Sequence, residues 1–259
     1  MDLRLKRAMV EVAQAAGKNA KNTTFRKAEF KGKKDVVTVV DRENEELIVR
    51  SLKAVEPKIS IWAEESGKQI IDLAKLAVID PLDATRNFLG DLPYSVMIAY
   101  YEEKIAKFAV IYAPQTDETF TAELGKGAFV NGERIYTSTK ISLGDALISV
   151  NRSNYPRSLK PLGLKLLDLL MDYAQSWRNF GTAGIEYSLV ARGNLDGVIT
   201  PMAEAVHAAG YLIMQEAGVK VTDFDGSVIN LDSKMVVVAN ENIHSQLLEL
   251  VQDARKFAL

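Results

Sequence analysis

The chain has 259 residues, 47% hydrophobic and 25% charged, with Lys+Arg 32 against Asp+Glu 34 and a net charge of -2. That length suffices for one large unit or two intimate halves around a substantial core, and the balanced charge gives no electrostatic reason to expect nucleic acid or an anionic membrane as partner. The absence of cysteine excludes a disulfide framework, a thiolate zinc site and a thiol nucleophile, and with only His207 and His244 available any metal chemistry has to use carboxylates.

Residues 3–20 place Leu5, Met9, Val12, Ala13, Ala16 and Ala20 on one helical face, with Gly17 a point where the helix is expected to end early. Met1 to Arg7 lacks the apolar core of a signal peptide. No uncharged apolar run approaches the roughly 18 residues of a spanning helix, so the expected location is the cytoplasm, with no membrane partner. Lys31 to Asp35 reads as a loop. A second helix is expected over Asp41–Val55, with Asp41 as cap and Pro57 beyond its end. Two apolar strands follow, Ile59–Ala63 running into Glu64 and Leu76–Ile79 running into Asp80.

From Tyr94 to Gly132 the pattern becomes an antiparallel meander, with turns at Gly125-Lys126-Gly127 and Asn131-Gly132. Thereafter strands and helices alternate. Strands are expected at 147–150, 196–199 and 235–239, and helices at 158–174, 183–192, 206–217 and 243–257. The change from meander to alternation divides the chain into 1–140 and 141–259.

Asp41, Glu64, Asp80 and Asp83 sit at strand ends or helix starts. Taken singly, Asp80 and Asp83 read as helix caps, Glu64-Glu65 as a solvated pair and Asp41 as an N-cap. Taken together, clustered carboxylates need a cation to offset their repulsion, and hard oxygen donors suit Mg²⁺ or Mn²⁺. Asp80-Pro81-Leu82-Asp83-Ala84-Thr85 is the most informative segment. Asp80 and Asp83 can face one site across a turn while the N–H groups of Ala84 and Thr85 point at the same place, as in a phosphate cradle.

Several blocks, in order, resemble the inositol monophosphatase family, which also includes archaeal-type fructose-1,6-bisphosphatases and phosphoadenosine phosphate phosphatases. Lys31-Gly32 through Asp41 and Glu45 is similar to its first block. Trp62 to Gly67 is similar to G-E-E-S, with Ala63 for glycine. Asp80 to Phe88 is similar to D-P-[IL]-D-G-T-x-N-F, with Ala84 for glycine. Val110 to Pro114, Gly125 to Gly132, Gly181-Thr182-Ala183 and Ala208 to Gly218 continue the match over nearly the whole chain.

The resemblance implies a layered αβαβα sandwich and a Mg²⁺-dependent (or Mn²⁺-dependent) phosphatase of small sugar or polyol phosphates, acting by direct attack of a metal-activated water. It also implies roles. Glu64 and Asp80, with the Leu82 carbonyl, would hold one ion, and Asp80 with Asp83 a second. Glu64 and Thr85 would orient the water, with Asp41 behind. Asp83, Ala84, Thr85, Gly181, Thr182 and Ala183 would bind phosphate or substrate. A homodimer is implied as well.

The chain departs from the family at its last block, where the expected tryptophan and metal-binding aspartate are Ala205 and Val206. Glu204 and His207 flank the gap; His207 reads more readily as a half-buried helix residue than as a ligand, because helical neighbours point about 100° apart. Val198 to Met202 offers no counterpart to the acid that contacts inositol. Arg178 and Arg152 are candidates for a second phosphate and equally read as surface arginines. A catalytically weakened relative that binds phosphate ligands or regulates, and a 3′-phosphoadenosine 5′-phosphate phosphatase, are the alternatives.

Overall fold

A computed structural model describes residues 1–24, 27–30, 36–70, 74–151 and 157–258. The expected loop at Lys31–Asp35 and Arg152 lie outside the described residues. The chain begins with α1 (Leu3–Asn22), β1 (Ala28–Phe30), β2 (Val36–Thr38), α2 (Val39–Val55), β3 (Ser60–Ala63), β4 (Gly67–Gln69), β5 (Lys75–Asp83) and the short α3 (Thr85–Leu89). The meander is β6 (Ser95–Glu102), β7 (Ile105–Ala113), β8 (Glu118–Glu123), β9 (Gly127–Val130) and β10 (Glu133–Ile135). Then come β11 (Leu147–Val150), α4 (Lys160–Tyr173), β12 (Ser176–Arg178), α5 (Ala183–Ala191), β13 (Gly197–Thr200), α6 (Ala208–Glu216), β14 (Val219–Asp223), β15 (Val236–Asn240) and α7 (Glu241–Ala258).

Strand periodicity builds the layers. On β5 and β6, Ala77, Ile79, Val96, Ile98 and Tyr100 face Leu5, Met9 and Val12 of α1 and Ile48 and Leu52 of α2. The alternate residues Val78, Met97 and Ala99 face the opposite way, toward Tyr187 and Val190 of α5 and Ala209 and Ile213 of α6. Those two helices are buried on nearly all sides, because Val198, Val236 and Val238 of a second sheet cover them. The outer face of that second sheet, with Ile148, Ile199 and Val237, packs against Leu166 of α4 and Leu247 of α7. The result is the expected αβαβα sandwich. The large sheet has the order β10-β9-β8-β7-β6-β5-β3-β4, and the smaller one β12-β11-β13-β15-β14.

Two boundaries differ from the sequence reading for local reasons. α1 continues past Gly17 to Asn22. Gly17 serves close packing rather than termination, since a Cβ there would lie 2.4 Å from Tyr112 Cδ1. α2 starts two residues before Asp41. Thr38 is its N-cap, and Asp41 turns its carboxylate back to accept from the Thr38 N–H at 2.7 Å, forming a capping box. β14 and the short strands β1, β2, β4 and β12 carry no alternation long enough to read in sequence.

Candidate active site

The acids are brought together by strand register. β3 and β5 run parallel with Ala63 opposite Ile79, so the next residues, Glu64 and Asp80, come side by side where β3 ends. Ligand sites commonly form beyond the carboxyl ends of neighbouring parallel strands. The Glu64 N–H donates to the Ile79 carbonyl at 3.2 Å. Glu45 of α2 shapes the turn that follows, accepting from the N–H groups of Glu65 at 2.9 Å and Ser66 at 3.1 Å.

Asp80 is 3% exposed, and its carboxyl is held well above the ordinary value, first by burial and then by the charges of Glu64 and Asp83. The charges of Glu64, Asp80 and Asp83 thus lie close enough to oppose one another. Carboxylates gathered in this way mark a place where a cation could stand. Leu82 N–H donates to Asp80 Oδ1 at 3.1 Å.

Asp83 lies where the pairing of β5 with β6 shifts register, a local irregularity that re-aims side chains. Its Oδ2 accepts from Ser95 Oγ at 2.9 Å, from Gly184 N–H at 2.8 Å and from the Thr182 hydroxyl, while Oδ1 accepts from Ala183 N–H at 3.2 Å. The carboxylate therefore also caps the start of α5, where the helix dipole favours a negative charge. Gly184 is obligatory at this contact, since a Cβ would come within 2.1 Å of Ser95 Oγ.

Ala84 has φ 70 and ψ 56, the left-handed conformation in which glycine is favoured and alanine is strained. This bend swings Thr85 inward. Thr85 Oγ1 donates to Asp41 Oδ1 at 2.8 Å, and the Thr38 hydroxyl donates to the other Asp41 oxygen. Burial pushes the Asp41 carboxyl above its ordinary value against these bonds.

Glu64, Asp80, Asp83, Ala84, Thr85, Arg86, Gly181, Glu204, Val206 and His207 line one cleft. A larger, mainly apolar cavity of about 740 Å³ lies elsewhere, between Trp62, Tyr101 and Tyr211. Among the described residues no group of acids converges on it, whereas acids gather at the smaller cleft. The structure thus gathers the predicted acids with Gly181, Glu204 and His207. A ring nitrogen of His207 lies within 4.8 Å of carboxylate oxygens of both Asp80 and Asp83. Arg178 is not at the cleft; it is exposed, and its guanidinium donates to Ser176 Oγ and the Trp177 carbonyl of its own strand.

Three contributors escaped the sequence reading. Arg86 lines the cleft. Ser95 holds Asp83. Glu186, fully buried, accepts at Oε1 from Ser149 Oγ at 2.8 Å and from Phe180 N–H at 2.9 Å. It thereby ties the Phe180-Gly181-Thr182 turn to β11, while Asn87 Nδ2 holds the Phe180 carbonyl at 2.8 Å. Burial pushes the Glu186 carboxyl up to about 7. A lone charge in the otherwise uncharged segment Ala183–Ala191 was the signal that could have found it.

A profile of the inositol monophosphatase family matches residues 2–256. The chain belongs to the inositol monophosphatase family. It is therefore a phosphoric monoester hydrolase by family. A Thermotoga maritima protein named fructose-1,6-bisphosphatase/inositol-1-monophosphatase is 35% identical over 86% of this chain and 84% of its own length. A Neisseria meningitidis serogroup B protein named putative Nus factor SuhB is 34% identical over 95% and 94%. The crystal structure of the suhB protein of Bartonella henselae superposes with a TM-score of 0.91 at 33% identity, covering 96% of this chain and 98% of that one.

Proposed function

We propose that this family member hydrolyses small sugar or polyol phosphate monoesters, inositol monophosphate and fructose 1,6-bisphosphate among them, with Mg²⁺ or Mn²⁺ as cofactor. The observation that carries the reading is the convergence of Glu64, Asp80 and Asp83 beside the Thr85–Asp41 pair. The donor set fits a hard cation, because all three acids offer oxygen and the charges of Glu64 and Asp83 oppose that of buried Asp80. Glu64, Asp80 and the Leu82 carbonyl would hold the ion. Bound there, it would supply charge neutralisation and a water of lowered pKa.

The chain's own residues then set the geometry. The Thr85 hydroxyl proton is committed to Asp41, so the oxygen lone pairs of Thr85 are left to accept from an attacking water. Glu64 would take the proton from that water. Ala84, Thr85 and Gly181 border the phosphate position, and the positive charge of Arg86 at the cleft favours an anionic substrate. The match to the family across the chain supports a homodimer, to be measured by sedimentation. No helix among the described residues is long and apolar enough to cross a membrane, which is consistent with a cytoplasmic location.

A second reading, in which the fold also serves as a binding or regulatory partner, draws on the Nus-factor name of the Neisseria relative and on Val206 at the place of a metal ligand. Phosphate release from inositol 1-phosphate, fructose 1,6-bisphosphate and 3′-phosphoadenosine 5′-phosphate, titrated with Mg²⁺ and Mn²⁺, separates the two. Metal-dependent turnover of either of the first two establishes the proposal, and turnover of the third alone moves the substrate to a nucleotide. No turnover of any by folded protein leaves the binding role.

A further inference from the structure

The last block of the cleft differs in kind from the other two, and the hydrogen bonds there decide what replaces the lost acid. Val206 is 5% exposed and packs among the apolar residues between the sheets. It offers no donor. His207 ends the 3₁₀ turn Ala205–His207 and forms a reciprocal capping box with Glu204. The His207 N–H donates to the Glu204 carbonyl at 3.0 Å, and the Glu204 N–H donates to His207 Nδ1 at 3.3 Å.

An amide N–H can only donate, so Nδ1 must present its lone pair. In the neutral imidazole the proton is then on Nε2. A nitrogen carrying a proton cannot ligate a metal ion, and moving that proton to Nδ1 would set it against the Glu204 N–H. His207 can therefore donate a hydrogen bond from Nε2 and is not a third ligand beside Asp80 and Asp83.

Asp83 is restricted as well. Three donors already converge on Oδ2, and only Oδ1, which accepts the single long bond from Ala183, has room for a cation. A second ion in the cleft would find that one oxygen and a share of Asp80. So few protein donors hold Mg²⁺-like ions only when phosphate oxygens complete the shell. A first ion finds Glu64, Asp80 and the Leu82 carbonyl.

Resting on the reading of the preceding subsection, we infer that the substrate-free protein binds one divalent ion rather than two, with His207 donating its Nε2 proton at the place of the missing aspartate. The test is equilibrium binding of Mn²⁺ to the full chain without phosphate, followed by electron paramagnetic resonance of the free ion. The expected stoichiometry is one ion per chain, well above the concentration that half-fills the site. His207→Ala should leave it at one, and Val206→Asp should raise it to two.

Because Val206→Asp buries a new carboxylate at a cost to the fold, a second measurement stands beside it. Two-bond ¹H–¹⁵N correlation of the imidazoles, with His244→Gln to assign the pair, reads the tautomer under saturating Mg²⁺. A retained Nε2–H pattern for His207 supports the inference. Two ions on the wild type, loss of an ion in His207→Ala, or a metal-ligated nitrogen pattern overturns it. No bound ion at all instead removes the metal reading of the cleft, a different failure with a different signature.

Discussion

The segment Asp80–Thr85 and the turn Glu204–His207 face each other across one cleft and are built on opposite plans. In the first, two polar side chains have their geometry fixed by partners from other elements: Asp83 by Ser95 and the start of α5, Thr85 by Asp41. In the second, Glu204 and His207 satisfy one another within a single turn, and Val206 has gone to the core. The contrast teaches that a metal-binding acid is costly to keep unless the surrounding fold uses it. Asp83 is bound into the α5 contact as well as the cleft, so its loss would damage both. The position at 206 has no such second duty here, and an apolar side chain there adds to the packing between the sheets.

The strongest way to break this comparison is Asp83→Asn. Phosphate release should fall to background, and because an amide cannot accept from all four donors, unfolding should also become easier by roughly 1–3 kcal/mol. A denaturant melt showing unchanged stability would mean that Asp83 does not join the two halves. Thr85→Ala removes the acceptor set by Asp41; kcat should drop on the order of 100-fold with KM nearly constant. A change confined to KM would make Thr85 a binding residue instead.

Glu186→Gln sharpens the comparison from behind the cleft. The folded Glu186 carboxyl sits near 7 against an ordinary 4.5, so between those pH values the folded state holds a proton that the unfolded state has lost. Stability from this group therefore falls as pH rises from about 4.5 to 7 and levels off above. The amide keeps the acceptor for Ser149 and Phe180 and does not titrate. The variant should lose that part of the slope, so that its stability relative to wild type is higher at pH 8 than at pH 4.5 by up to a few kcal/mol. Parallel stability curves for variant and wild type would refute the buried titration. The smallest effect is expected from Ala84→Gly. Relief of the left-handed strain, about 1–2 kcal/mol, is partly offset by the larger unfolded-state entropy of glycine, leaving a net gain of roughly 0.5–1 kcal/mol in thermal or denaturant melts.

Much of the molecule was legible in the residues themselves. The pattern after Tyr94 announced an antiparallel meander, the helical stripe of α1 announced its docking side, and the apolar runs ending at Glu64 and Asp80 pointed to acids at strand ends. The three-residue strands β1, β2, β4 and β12 were not legible, because three residues carry no resolvable period. Arg178 was read as a surface arginine as readily as a phosphate contact, and only the fold shows its guanidinium turned onto its own strand.

By itself, the sequence determined the class of chemistry. It has no thiol, hardly any imidazole, and carboxylates spaced for a hard cation, and these follow from residue identity alone. Only the tertiary structure decided which of those groups are available. The parallel register of β3 and β5 sets Glu64 against Asp80, four donors from two halves of the chain restrict Asp83, and the Glu204 N–H fixes the tautomer of His207. Each of these is a contact between atoms whose distance is set by packing, and no spacing along the chain encodes it.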